Sequence, residues 1–207
     1  DEATDLPNRR STDQHLNELI ACTDKIVAVA ALGVDRFAHV RGAIGYELAA
    51  GLIAEIGARL MRLDKSMFVS RLSGDVLAIV FEADDPESAR ILAMKTQAAL
   101  EAPLELDAHR IDISLTAGLA AFPDHAGDAR TLLERANIAL DQARATGRKL
   151  AWFDQEAYGD PAANLSLMSD MLGALESGAM ALHYQPKYDL KEQRITTSYL
   201  LRTASRI

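Results

Sequence analysis

The first apolar positions, Leu16, Leu19 and Ile20, are spaced three and four apart, the rhythm of a helix with one buried face. Ile26, Val27, Ala28, Val29, Ala30, Ala31 and Leu32 then form an unbroken apolar run, the pattern of a strand covered on both faces, and Gly33-Val34-Asp35 is expected to end it. Leu48, Leu52, Ile53, Ile56, Leu60 and Leu63 return to helical spacing and predict one long helix. Residues 68–72 and 76–81 read as two strands joined only by Ser73-Gly74-Asp75, a tight hairpin. Asp84-Asp85-Pro86 starts a helix that runs to about Leu100, since an acid suits the cap and proline the first turn. Residues 104–106 and 111–121 read as a further hairpin with His109 near its turn. Asp128 caps another helix, with Leu132, Leu133, Ala136, Leu140 and Ala143 inward and Gly147 as its stop, and residues 150–153 make a last short strand whose Trp152 and Phe153 close the core edge. The order α-β-α-β-β-α-(ββ)-α-β predicts an α/β (α+β) domain over residues 1–154, with helices on a mixed central sheet. After it the pattern changes: a linking helix is expected within 155–180, and a β-hairpin fragment within 181–207.

Composition narrows the function classes. With 207 residues, the chain suffices for one full domain and something smaller. A net charge of −8 argues against nucleic acid or an anionic membrane as partner, but leaves room for a small nucleotide in a local basic pocket. Cys22 is the sole cysteine, so neither an internal disulfide nor a zinc knuckle is open to the chain, and a reducing cytoplasm is expected. No apolar run approaches the roughly 20 residues a membrane helix needs. The chain opens on Asp1-Glu2 without Met, as expected of the cytoplasmic part of a larger, even membrane-anchored, protein. His15, His39, His109, His125 and His183 have no metal-ligand spacing and read as surface or turn residues.

Four stretches in register carry a family resemblance. They are Asp5-Leu6-Pro7-Asn8-Arg9-Arg10; Val34-Asp35-Arg36-Phe37; Arg71-Leu72-Ser73-Gly74-Asp75-Val76-Leu77; and Ala136-Asn137-Ile138-Ala139-Leu140 with Ala143-Arg144 and Gly147-Arg148. They resemble "TGLPNRR", "D-x-D-x-F", "RLGGDEF" and "ADxALYxAKxxGR" of the GGDEF diguanylate cyclases. The resemblance implies a nucleotidyl-cyclase-like fold and a reaction in which two GTP molecules are joined, each 3′-hydroxyl attacking the other's α-phosphate. Such chemistry needs divalent cations on the triphosphate, held by carboxylates.

The resemblance also shows which of those groups this chain keeps. The first acid of "D-x-D" is Gly33 here, and the second acid of the hairpin is Val76. Asp75 and Asp35 remain as weak candidates for Mg²⁺ within a turn, Ser73, Gly74, Asp75, Val76 and Leu77, that is expected to be catalytically degenerate. Asp75 reads equally as a turn residue bonding its own backbone. Guanine-reading positions hold Arg41 and Ala50, and Gly45-Tyr46 replaces Gly-His. Asp64-Lys65-Ser66-Met67 lacks the Arg-x-x-Asp of product inhibition. Arg144 and Arg148 match the family's triphosphate contacts and lie four apart on one helix end; they are phosphate ligands or solvated cations favoured by the helix dipole.

Residues 182–190, Leu182-His183-Tyr184-Gln185-Pro186-Lys187-Tyr188-Asp189-Leu190, are similar to the opening "YYQPKVDL" of the EAL phosphodiesterases, and Ser198-Tyr199-Leu200-Leu201-Arg202 falls where "EALLR" belongs. Gln185 would lie on the ligand side; the first metal-binding Glu is absent, and no Asp or Glu follows Glu192. Three readings stay open at this level. One is a regulatory domain, binding GTP or cyclic-di-GMP or only packing on an adjoining EAL domain. Another is an enzyme with substituted ligands. The third is an interaction module, with the Leu/Met pattern of 162–178 pairing two copies in a homodimer or packing within the chain.

Overall fold

The structure is a computed structural model that describes residues 1–100, 102–106, 109–177, 180–189 and 193–203, with the backbone alone at 105, 106, 109, 161–165, 167, 168, 180–189 and 195–203. The chain divides into two compact units, 1–154 and 155–207. In chain order the first unit contains α1 (Arg9–Cys22), β1 (Ile26–Val34), α2 (Phe37–Leu63), β2 (Phe68–Arg71), β3 (Val76–Ala83), α3 (Pro86–Leu100), β4 (Leu104–Leu106), β5 (His109–Ile111), β6 (Leu115–Phe122), α4 (Ala129–Thr146) and β7 (Leu150–Trp152). The second contains α5 (Gln155–Tyr158), α6 (Pro161–Glu176) and the antiparallel pair β8 (Met180–Asp189) and β9 (Arg194–Thr203).

The main sheet has the order β2-β3-β1-β6-β7. β1 is its centre, antiparallel to both β3 and β6, while β7 joins β6 in parallel. An apolar run suits that place, because a central strand is covered on both faces: Val27, Ala28, Val29, Ala30, Ala31 and Leu32 are all fully buried. Ala28, Ala30 and Leu32 share a cluster with Leu52, Ile53, Ile56 and Leu60 of α2 and Ala89, Ala93 and Leu100 of α3. The opposite face takes α4, whose backbone lies so close to β6 that a Cβ at Gly118 would run into Leu140 N, Ala136 O and Ala139 C. Glycine is what permits that approach.

The helices start and stop as their sequences direct. Asn8 and Asp128 cap α1 and α4 by accepting from the Ser11 and Thr131 amides at 3.0 and 2.9 Å, and Gly147, at φ 66°, ends α4 in the left-handed conformation. Four expectations need correction or extension. β1 runs through Gly33 to Val34, because the ladder to β3 and β6 continues there. The helix that carries the apolar spacing from Leu48 to Leu63 is preceded, from Phe37 on, by a further helical stretch set off by a break at Gly45 (φ 84°, ψ 170°), a conformation glycine alone adopts readily. The second hairpin is only β4 with β5; Ile111-Asp112-Ile113-Ser114 breaks the run, and β6 joins the main sheet instead. The linking segment holds two helices, α5 and α6, parted by Gly159 at φ 64°. Among the described residues no helix is long and apolar enough to cross a membrane.

Candidate functional site

The site lies where β1 ends. Register places Gly33 opposite Val76 of β3 on one side and Thr116 of β6 on the other. The two positions that the resemblance sets against family acids are therefore direct cross-strand neighbours, and both are apolar. Val76 is 7% exposed, part of the core rather than of a solvent-facing site. Asp75 precedes it in the hairpin turn and stays about one-third exposed.

Arg71 fixes the shape of that turn. Its guanidinium donates to the carbonyls of Ser73 at 3.1 Å and Gly74 at 2.9 Å and meets the Asp1 carboxylate at 2.9 Å. The backbone closes the turn: Leu72 N–H donates to Val76 O at 2.9 Å, and Val34 N–H donates to Asp75 O at 3.0 Å. Arg144, near the end of α4, reaches the same place. Its Nη2 donates to Asp75 Oδ2 at 3.1 Å and to Val34 O at 3.3 Å.

Asp35 follows Val34 and has partners of its own. It accepts from Ser114 Oγ at 2.6 Å, Thr116 Oγ1 at 2.7 Å and Lys149 Nζ at 3.2 Å. Lys149 Nζ also bonds Ser114 Oγ. Partial burial would push the Asp35 carboxyl up; the bonds from Ser114, Thr116 and Lys149, with the charge of Lys149, outweigh it and hold the carboxyl below the ordinary carboxylate range. The Lys149 backbone is fixed from behind, because buried Gln97 donates Nε2 to Lys149 O at 2.8 Å and to Leu115 O at 2.7 Å.

Two clefts flank these groups. One, about 320 Å³, includes Phe37, Arg41, Asp75 and Arg144 in its lining. Arg41, expected from the resemblance to stand at a guanine-reading position, lays its guanidinium 4.9 Å from the Tyr46 ring centroid and 6.0 Å from that of Phe37. The other, about 570 Å³, runs along Asp35, Arg36, His39, Ser114, Arg148 and Lys149. Arg144 borders both clefts and Arg148 only the larger, so the two arginines do not converge on Asp75. Among the described residues, no three His, Cys, Asp or Glu side chains gather as a metal would require.

Sequence reasoning missed Lys149, Ser114 and Thr116. The signal was there: Ser114 and Thr116 are two polar residues with period two entering an apolar strand, which places both on one face. Gln185 lies in β8 with its backbone opposite Ser198 of β9, and Tyr184 is opposite Tyr199. The Gln185 side chain and those of His109 and His183 lie outside the described residues. On α6 Met171, Leu172 and Leu175 are exposed.

A five-stranded mixed sheet, mostly antiparallel, with helices on both faces and a β-hairpin turn beside the central strand's end, defines a GGDEF-cyclase-like α/β protein. The family model "Diguanylate cyclase, GGDEF domain" matches residues 1–150, and the chain belongs to that family. Its fold is similar to the GGDEF domain of TpbB (YfiN) from Pseudomonas aeruginosa, at 27% identity and TM-score 0.69, covering 74% of this chain and 94% of that one. Over 192 residues it is 30% identical to the bifunctional diguanylate cyclase/cyclic di-GMP phosphodiesterase MucR and 27% identical to the cyclic di-GMP phosphodiesterase NbdA, both of Pseudomonas aeruginosa. Each match covers 90% of this chain, which spans 28% and 24% of those proteins' length.

Proposed function

We propose that this GGDEF domain has lost cyclic-di-GMP synthesis and serves as a regulatory module for an adjoining EAL domain whose opening strands are β8 and β9. The observation that carries it is the cross-strand pair Gly33 and Val76: two places that supply carboxylates in the family meet here without one. Asp75 alone is a poor Mg²⁺ ligand, since the ion surrenders its water reluctantly, and Asp35 is engaged by Ser114, Thr116 and Lys149. With Arg41 stacked on Tyr46 at a guanine-reading position, the site offers nothing that selects that base. A nucleotide in this reading is held by its phosphates, through Arg148 and the nearby Arg36 and Lys149 of the larger cleft. The EAL part draws on the residues around Gln185 and Ser198 and on the names of the longer relatives, one a bifunctional cyclase/phosphodiesterase and one a phosphodiesterase.

A turnover assay with GTP and Mg²⁺ tests the first part: no cyclic-di-GMP is expected above the protein-free control. Product formation that disappears in Asp75→Ala would instead make the chain a cyclase with substituted ligands. Calorimetry tests the nucleotide; no heat at millimolar GTP removes it and leaves packing against the EAL domain as the regulatory contact.

A further inference from the structure

Arg144 does more than border the clefts. Gly33 faces it directly: a Cβ at position 33 would collide with the Arg144 guanidinium, standing 2.7 Å from Cζ and 3.0 Å from Leu140 Cδ2. The guanidinium thus lies in the space that any side chain at position 33 would need. It bonds there to one backbone carbonyl, Val34 O, and one carboxylate, Asp75 Oδ2. That is the kind of oxygen pair a hard divalent cation takes. Both partners of the ion pair are about one-third exposed, so the pair is only partly shielded from water.

We propose that Arg144 is a built-in cation that takes the metal's place in this domain, docking the hairpin turn onto the end of β1 by joining Asp75 to Val34. The residues present do not fit Mg²⁺, because a single carboxylate is balanced by a single guanidinium and the room for a second carboxylate is taken by that same group. Glycine at position 33 leaves room for the guanidinium, and a side chain there would have to displace it. The reading that the chain resembles, in which this position contacts a nucleotide's phosphate, then no longer describes Arg144, which is committed within the protein. Restoring the acids alone should not restore a metal site.

The inference rests on the reading of a centre without synthesis. That reading fails on GTP turnover by the unaltered chain, whereas this one fails on metal binding and amide exchange alone. Mn²⁺ titration by electron paramagnetic resonance compares the full chain carrying Gly33→Asp and Val76→Glu with the same chain also carrying Arg144→Ala. At least tenfold tighter Mn²⁺ binding is expected once Arg144 is removed; no difference between the two, whether both bind or neither does, overturns the proposal. Should either multiple variant fail to fold by circular dichroism, hydrogen exchange in the otherwise unchanged chain decides. Arg144→Met is expected to speed exchange at least tenfold at the Val34 and Leu72 amides, which report the docked turn, and to leave Val29 in the middle of β1 unaltered. Unchanged Val34 and Leu72, or equal acceleration at Val29, overturns it.

Discussion

Asp35 is held by three side chains that lie far from it in sequence. Three donors, Ser114 just before β6, Thr116 in it and Lys149 just before β7, converge on one carboxylate, so it ties the end of β1 to its neighbours. Charged hydrogen bonds contribute about 1.5–3 kcal/mol each at most, less where water reaches them. Asp35→Asn should therefore cost about 1–2 kcal/mol at pH 7, measured by urea unfolding. Its folded carboxyl lies below the ordinary value of about 3.9. Stability from this group is thus present above that value and lost as pH falls through the lower folded one, so the gap between wild type and Asp35→Asn should close on acidification below pH ~4.

His125 works in the opposite pH range. Half-buried, it accepts the Ala121 N–H on Nδ1 at 3.0 Å and stacks on Trp152 at 5.3 Å between centroids. Burial, the largest cause, pushes the imidazole down and the charge of Arg135 adds to it, against the smaller opposing charge of Asp124. Below its ordinary value of about 6.5 the unfolded chain binds the proton first. Stability is then complete above pH ~6.5 and falls as pH drops through the folded value. Melting temperatures between pH 7 and 5 should show this loss in the wild type, and His125→Asn, which keeps an acceptor but cannot titrate there, should lack it. His125 lies in the turn at 123–125, as expected of a turn residue, but the sequence around Pro123-Asp124-His125 does not show that Trp152 stacks on its ring.

At the scale of elements, two glycines set how α4 and α2 run. Gly118 lets α4 lie directly on β6, and a methyl group there would meet helix backbone, which cannot swing aside as a side chain can. Gly118→Ala should lower unfolding free energy by about 2–3 kcal/mol, as overpacking of a core contact does, in a denaturant titration. Gly45→Ala has free space around its Cβ, yet its backbone angles disfavour any L side chain, so about 1–2 kcal/mol should be lost there without a steric clash. Helix starts, the main strand and the hairpin at 73–75 were legible because capping and periodicity are local. The kink at Gly45 and the division between β5 and β6 were not. The first lies ahead of the apolar spacing that begins at Leu48, and the second depends on which strand offers free ladder groups.

For the whole molecule, the net charge of −8 and the basic groups along the larger cleft act at different ranges. The overall field repels polyanions, whereas a compact anion experiences the local cations within a Debye length of about 8 Å at physiological salt. The chain should accordingly show no retention on double-stranded DNA at physiological ionic strength in a filter-binding assay. The sequence by itself determined the GGDEF framework, its element order for the most part, and the identity of the residues at each motif position, because caps, turn chemistry and apolar rhythm are written within a few residues of one another. Only the tertiary structure decided that Gly33 and Val76 oppose each other, that Arg144 crosses from α4 to lie between Asp75 and Val34, and that Lys149 closes on Asp35. Those pairings join residues 43 to 114 positions apart in sequence, and no local preference encodes a contact that exists only once the sheet has assembled.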